Sequence, residues 1–274
     1  MNIVKAWQED LAQVLNGASL TVSDVRLGVF YTAAQLSSGH TGVAFTPRGL
    51  TDTVCCPRSA SAAPPAGSLG GRDAWELAEY AQSQVPLRRA AGIAVLNALS
   101  ALAMEQHAVP GGQLIPGMDA LEAAAVRPED RVAMVGGFIP FIKALKGQVA
   151  DLWVVDKHRE ALKPDELPFW RSPDQATEVL GQASVVIMTG SSLVEGGIDA
   201  LLKAAGNARR VVLAGPTASP WPPTFFARGV DVLGGIRVLD GHQMLQVVSE
   251  GGSGYFFDRG AEKVSVVRAP SPEL

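Results

Sequence analysis

The chain has 274 residues, 47% hydrophobic and 18% charged, with a formal net charge of −4 at pH 7. That length admits one large domain or two ordinary ones, and the apolar content is ample for a core. A sequence pI near 5.6 leaves no basic stripe for nucleic acid and no basic amphipathic helix for a membrane surface.

Val4, Trp7, Leu11, Val14 and Leu15 recur at helical spacing, which predicts an amphipathic first helix ending before Asn16-Gly17. Val25 to Leu36 reads as a strand and Thr41 to Thr46 as a second, with Ser37-Ser38-Gly39-His40 closing a hairpin. Pro47 to Leu69 is loop-rich. Asp73 followed by Glu76 forms a capping box opening a helix through Tyr80, and Pro86 starts a longer one. The uncharged stretch Ala90 to Met104 is too short for a bilayer and carries Asn97 and Ser100, so it reads as a buried helix.

A boundary follows at about Val109-Pro110-Gly111-Gly112. Beyond it, apolar runs predict strands at Val132–Val135, Leu152–Val155, Val185–Met188, Val211–Ala214 and Val230–Leu233. Helices are expected over Phe141–Lys146, Gln175–Leu180, Leu193–Ala205 and Gln243–Ser249. The fold class is therefore α/β. A small α+β domain over 1–108 precedes a Rossmann-like, mostly parallel sheet domain over 109–274.

Three of the apolar runs end in short turns of small or hydroxyl-bearing residues. These are Gly136-Gly137-Phe138-Ile139-Pro140, Thr189-Gly190-Ser191-Ser192 and Gly215-Pro216-Thr217-Ala218. In open α/β sheets, ligands sit outside the carboxyl ends of the strands, where these turns fall.

Several segments together resemble the putative heavy-metal chelation family, formerly a domain of unknown function. In the first domain these are Gly28-Val29-Phe30-Tyr31-Thr32, Leu36 through Ala44, and Arg89 through Leu99. In the second they are Val135 through Pro140, Thr189 through Leu193, and Gly215 through Pro220. The resemblance runs in order over nearly the whole chain. It implies an enolase N-terminal-like domain, a Rossmann-like domain and a ligand cleft between them. The chain departs from the family pattern at Glu195, where an Asn is common.

The residues themselves narrow the chemistry. A dinucleotide fingerprint needs a third glycine, and Phe138 occupies the approach to the first strand turn, so neither NAD nor FAD is expected. Asp156 does sit where a ribose-binding acid would. Thr189, Gly190, Ser191 and Ser192 offer N–H groups and hydroxyls suited to a carboxylate or phosphate, although Ser191 or Ser192 could serve only as a cap. Glu195 is either a surface charge or a hard ligand or base. His40, displayed in a glycine-flanked turn, is the expected metal ligand. Asn97 either holds the hairpin turn or reaches a ligand. The adjacent Cys55 and Cys56 supply soft thiolates but no structural staple.

The leading expectation is a protein binding a metal ion of unknown identity, or a small anionic metal-chelating ligand, in the interdomain cleft. Ser38, Gly39 and His40 would face Phe138, Thr189–Ser192 and Gly215, Pro216 and Thr217 across it. The alternative is a nucleotide- or S-adenosylmethionine-dependent lyase or transferase acting on a small metabolite, so enzymatic status stays open. A structural, dimer-forming module is a third reading, and the apolar composition is compatible with a homodimer. The start reaches Glu9-Asp10 before any secretory apolar core forms, which points to the cytoplasm, with no membrane or nucleic-acid partner.

Overall fold

The computed structural model describes residues 1–48 and 66–270. Asn2 caps the first helix, α1 (Ile3–Val14), by accepting the Lys5 N–H, and the apolar stripe of that helix buries Ile3, Val4, Trp7 and Leu11. Strands β1 (Val22–Leu27), β2 (Tyr31–Leu36) and β3 (Thr41–Phe45) form an antiparallel sheet. The single strand expected over Val25 to Leu36 is thus two. The Gly28 N–H donates to the Tyr31 carbonyl and reverses the chain, at a point where a Cβ would lie 2.2 Å from the Val248 carbonyl oxygen. The β2–β3 hairpin turns at Ser37–His40 as its sequence implies, with Gly39 at φ +88°.

Asp73 caps α2 (Ala74–Ala78) through the Trp75 and Glu76 N–H groups. Pro86 then opens α3 (Pro86–Gln106), which buries an unbroken run from Ala90 to Ser100. This helix is apolar all round because it lies in the core. Gly42 lets β3 rest directly on it: a Cβ there would lie 2.3 Å from the Ala94 carbonyl oxygen.

After β4 (Gly112–Pro116) and α4 (Ala120–Ala124), strand and helix alternate. The order is β5 (Arg131–Val135), α5 (Ile139–Leu145), β6 (Asp151–Val155), β7 (Trp170–Arg171), α6 (Ala176–Gln182) and β8 (Val185–Thr189). Then come α7 (Ser191–Glu195), α8 (Ile198–Ala204), β9 (Arg210–Ala214), α9 (Pro223–Ala227), β10 (Val232–Val238), α10 (Gly241–Ser249) and β11 (Ala261–Arg268). The continuous helix expected over Leu193–Ala205 is broken, because Gly196 (φ +86°) and Gly197 (φ +87°) leave the helical region.

These strands build one eight-stranded sheet in the order β4-β11-β10-β9-β8-β5-β6-β7. The run from β10 to β7 is parallel, whereas β11 and β4 add an antiparallel edge. The antiparallel pairing with β11 carries β10 on to Val238, beyond the expected Leu233. Alternation along the strands fills both faces. Val132, Met134, Val154, Ile187 and Val212 pack with α4 and α5. Ala133, Val155, Val186, Met188 and Leu213 share a cluster with α6, α8 and α9, and also with α1 and α3. The apolar core of the N-terminal elements is therefore continuous with one face of the sheet.

Candidate functional site

The chain leaves β5 for β6 and β7 on one side, then returns to place β8, β9 and β10 on the other. At that reversal of strand order the carboxyl ends of the strands cannot all be covered, and a crevice forms. A cavity of about 660 Å³ lies there, bounded by Val135, Val155, Thr189 and Ala214 at the ends of β5, β6, β8 and β9. Tyr31, Phe45 and Arg48 close it from the N-terminal sheet.

Its walls are held by short polar contacts. Gly136 turns at φ +97°, and a Cβ there would lie 3.1 Å from the Thr189 Cβ. Phe138 stacks on Phe141 with ring centroids 5.2 Å apart. The Asp156 carboxylate accepts the Gly137 N–H at 2.7 Å on one oxygen and the His158 N–H at 2.8 Å on the other. At the next turn the Thr189 hydroxyl accepts the Ser191 N–H at 3.3 Å, and the Ser192 hydroxyl donates to the Thr189 carbonyl at 2.7 Å. A Cβ on Gly190 would lie 2.8 Å from the Ala218 nitrogen, so the turns after β8 and β9 abut. Thr217 is buried. Its hydroxyl accepts the Phe45 N–H at 2.9 Å, and its carbonyl accepts from Asn97 at 3.0 Å.

Charge is distributed unevenly in the cleft. Lys157 and Glu195 pair at 3.3 Å. The Arg48 guanidinium lies 5.0 Å from the Phe30 ring centroid and has no carboxylate partner among the described residues. Burial raises the Tyr31 hydroxyl above the usual phenol range, against the pull of the Arg48 charge, so it stays a neutral donor.

The cleft gathers Phe138, Asp156, Thr189, Gly190, Ser191, Ser192, Glu195, Gly215, Pro216 and Thr217. It does not gather the hairpin turn. His40 and Asn97 line a second cavity, of about 360 Å³, and Ser38 and Gly39 line neither. The expected juxtaposition of Ser38-Gly39-His40 with the strand-end turns is therefore corrected. The reason is register: Tyr31 pairs with Phe45 at the open end of the hairpin, and that end reaches the cleft. The turn end lies against the last turns of α3, where His40 Nε2 is 2.8 Å from a Glu105 carboxylate oxygen and Nδ1 is 3.1 Å from the Ser38 hydroxyl.

Tyr31, Phe45, Arg48 and Lys157 were not among the expected residues. Counting outward from a three-residue turn at 37–39 along both strands pairs Tyr31 with Phe45 and finds that end, whereas the four-residue turn read from the sequence pairs Tyr31 with Thr46. Cys55 and Cys56 lie outside the described residues. Among the described residues no three His, Cys, Asp or Glu side chains converge as a metal site. The carboxylates of the cleft, Asp156 and Glu195, already hold N–H groups or Lys157, so these residues do not fit a bare ion. The nucleotide-dependent alternative is not favoured either: the turn after β5 lacks the third glycine of a dinucleotide fingerprint, and Phe138 lines the cleft there.

Fold and cleft define a mixed α/β protein whose mostly parallel sheet and small antiparallel sheet enclose a ligand-sized crevice. The chain belongs to the family described as "Putative heavy-metal chelation". The profile DUF364 of that description matches residues 119–267, and DUF4213, with the same description, matches 9–100. An uncharacterised protein of Methanocaldococcus jannaschii is 27% identical over 190 residues, 69% of each chain. A DUF364-family crystal structure of unknown function from Pyrococcus horikoshii superposes with a TM-score of 0.77 at 20% identity, covering 98% of this chain and all of that one. Another, from Desulfitobacterium hafniense, gives 0.73 at 20% identity, covering 96% and 99%. At that identity the two structures establish the fold.

Proposed function

We propose that the protein binds a small anionic, metal-chelating molecule in the 660 Å³ cleft, with any metal ion carried as cargo by the ligand's own donors. The observation that carries this reading is Arg48, a cleft cation with no carboxylate partner among the described residues, set beside the Tyr31 hydroxyl and opposite the hydroxyl-bearing turn at Thr189–Ser192. A guanidinium at the rim of the cleft with no carboxylate partner among the described residues favours a carboxylate or phosphate, which it can grip through two N–H groups. The family description supports the metal half of the reading. The cleft volume exceeds what a bare ion needs and suits a molecule of drug-like size.

Isothermal titration with nickel(II) citrate, citrate alone and nickel(II) chloride tests this. Citrate-containing probes should bind, nickel chloride should not bind in this cleft, and Arg48→Ala should weaken citrate binding at least tenfold. No binding of either citrate probe, or an Arg48→Ala variant as tight as wild type, would overturn the proposal.

A further inference from the structure

The cleft extends well beyond the groups that would grip an anion. From the small sheet, where Tyr31, Phe45 and Arg48 line it, the cavity runs past the turn at Thr189 and Ser191 and on between α6 and α8. The packing of the helices sets that order: α7 lies against β3 and α3, whereas α8, which follows it, lies against α6. Gly197, Ala200, Leu201 and Ala204 line this far part from the α8 side. Their spacing of three, four and seven positions places them on one face of the helix. At the helical rise, seven positions carry that face about 10 Å from the break at Gly197.

The far wall differs in chemistry from the near one. Ala176 and Thr177 line it from the first turn of α6, and Val135 and Val155 from the strand ends. Thr177 brings a hydroxyl, whereas Ala176, Ala200, Leu201 and Ala204 are apolar. Ala176, Leu201, Ala204 and Val135 are half-buried, packed against the main core on one side and lining the cavity on the other. Scattered apolar residues on a surface need no explanation, but these are concave and continuous with the space beside Arg48.

We infer that the ligand is amphipathic, a chelating anionic head carrying an unbranched apolar chain that lies between α6 and α8. This inference rests on the reading of the cleft proposed above and adds the class of molecule. The head meets Arg48, the Tyr31 hydroxyl and the Thr189 turn, and the chain removes Ala176, Leu201 and Ala204 from water. Gly197, Ala200 and Ala204 offer at most a methyl group, so a methylene chain can lie close along that face of α8. A compact polycarboxylate such as citrate occupies the near part and leaves the wall between α6 and α8 wet.

Titration calorimetry on the intact protein with malonate, methylmalonate and butylmalonate, beside citrate, tests the assignment. The three malonates share one chelating head and differ in the chain. Each buried methylene is worth about fourfold in affinity, so butylmalonate should bind at least tenfold more tightly than malonate, with methylmalonate between them. Ala200→Gln, at an exposed position, sets an amide in the path of the chain and should cut that ratio at least threefold. Arg48→Ala should weaken both probes and leave their ratio unchanged. A ratio near one, with citrate or malonate still bound, overturns the inference and leaves the reading of the cleft standing. So does a ratio that Ala200→Gln leaves untouched. No binding by citrate, malonate or butylmalonate overturns both.

Discussion

The Asn97 side chain donates to the Thr217 carbonyl at 3.0 Å, joining α3 to the turn after β9 across 120 positions of sequence. The same nitrogen donates to Val43, so one buried amide holds β3, α3 and a wall of the cleft in a fixed arrangement. Asn97→Leu keeps the branched shape at a larger volume and leaves two carbonyls without their donor. The expected cost is about 1–3 kcal/mol, tempered because the unpartnered amide oxygen disappears as well. Urea unfolding should show a lower midpoint at an unchanged slope. A midpoint equal to wild type would mean that the Asn97 bridge adds nothing to stability.

Two glycines three positions apart in the hairpin region, Gly39 and Gly42, should respond very differently to alanine. Gly39 has φ +88° and open space around its would-be Cβ, so Gly39→Ala pays only backbone strain, roughly 1–2 kcal/mol. At Gly42 a Cβ would lie 2.3 Å from both the Ala94 oxygen and the Ala98 nitrogen, backbone atoms that cannot step aside. Gly42→Ala must push β3 off α3, at a cost of about 3 kcal/mol or more. Thermal melts of the two variants should rank them in that order, and the reverse order would contradict the close packing of β3 on α3.

How far the sequence could be read depended on the kind of signal. Val132–Val135, Leu152–Val155, Val185–Met188 and Val211–Ala214 are central parallel strands buried on both faces, so their apolar runs were unambiguous. The turns that follow them line the cleft for the same reason. The β11 strand, Ala-Glu-Lys-Val-Ser-Val-Val-Arg, mixes polar residues into its run because it lies near the antiparallel edge, and its pattern is correspondingly weak. The break at Gly196-Gly197 was legible as chemistry but masked by the helical spacing on either side. The position of His40 depended on which end of the hairpin meets the sheet. That is set by the packing of β3 on α3, a long-range fact that local periodicity does not carry.

Acid should loosen the large sheet through Asp130. Burial pushes its carboxyl up, but hydrogen bonds from Arg209, the Arg127 N–H and Ser184, together with the Arg209 charge, outweigh that and hold it at about 2 against an ordinary 3.8. The folded-state value is the lower one, so the stabilisation is complete above the unfolded value near 3.8 and is lost as pH falls toward about 2. The shift corresponds to about 2 kcal/mol. The stability of Asp130→Asn should show a flatter pH dependence than wild type between pH 4 and 2 in urea titrations. Parallel profiles for the two proteins would remove Asp130 as the source.

The Lys157–Glu195 pair spans the cleft mouth at 3.3 Å, with both side chains well exposed. A pair of that kind contributes about 0–1 kcal/mol to stability, because water screens it in both the folded and unfolded chain. Its influence on a bound anion should be larger than its influence on the fold. Glu195 places a negative charge in the crevice and occupies a cation that an incoming carboxylate would otherwise meet. Glu195→Gln removes the repulsion and releases Lys157 at once, so nickel(II) citrate should bind at least threefold more tightly, and the gain should shrink as salt is raised. Lys157→Ala should move affinity the other way. Both variants should melt within about 1 kcal/mol of wild type. If Glu195 instead contacts the ligand's metal directly, Glu195→Gln would weaken nickel(II) citrate while leaving citrate alone unchanged, and the electrostatic account of this pair would fail.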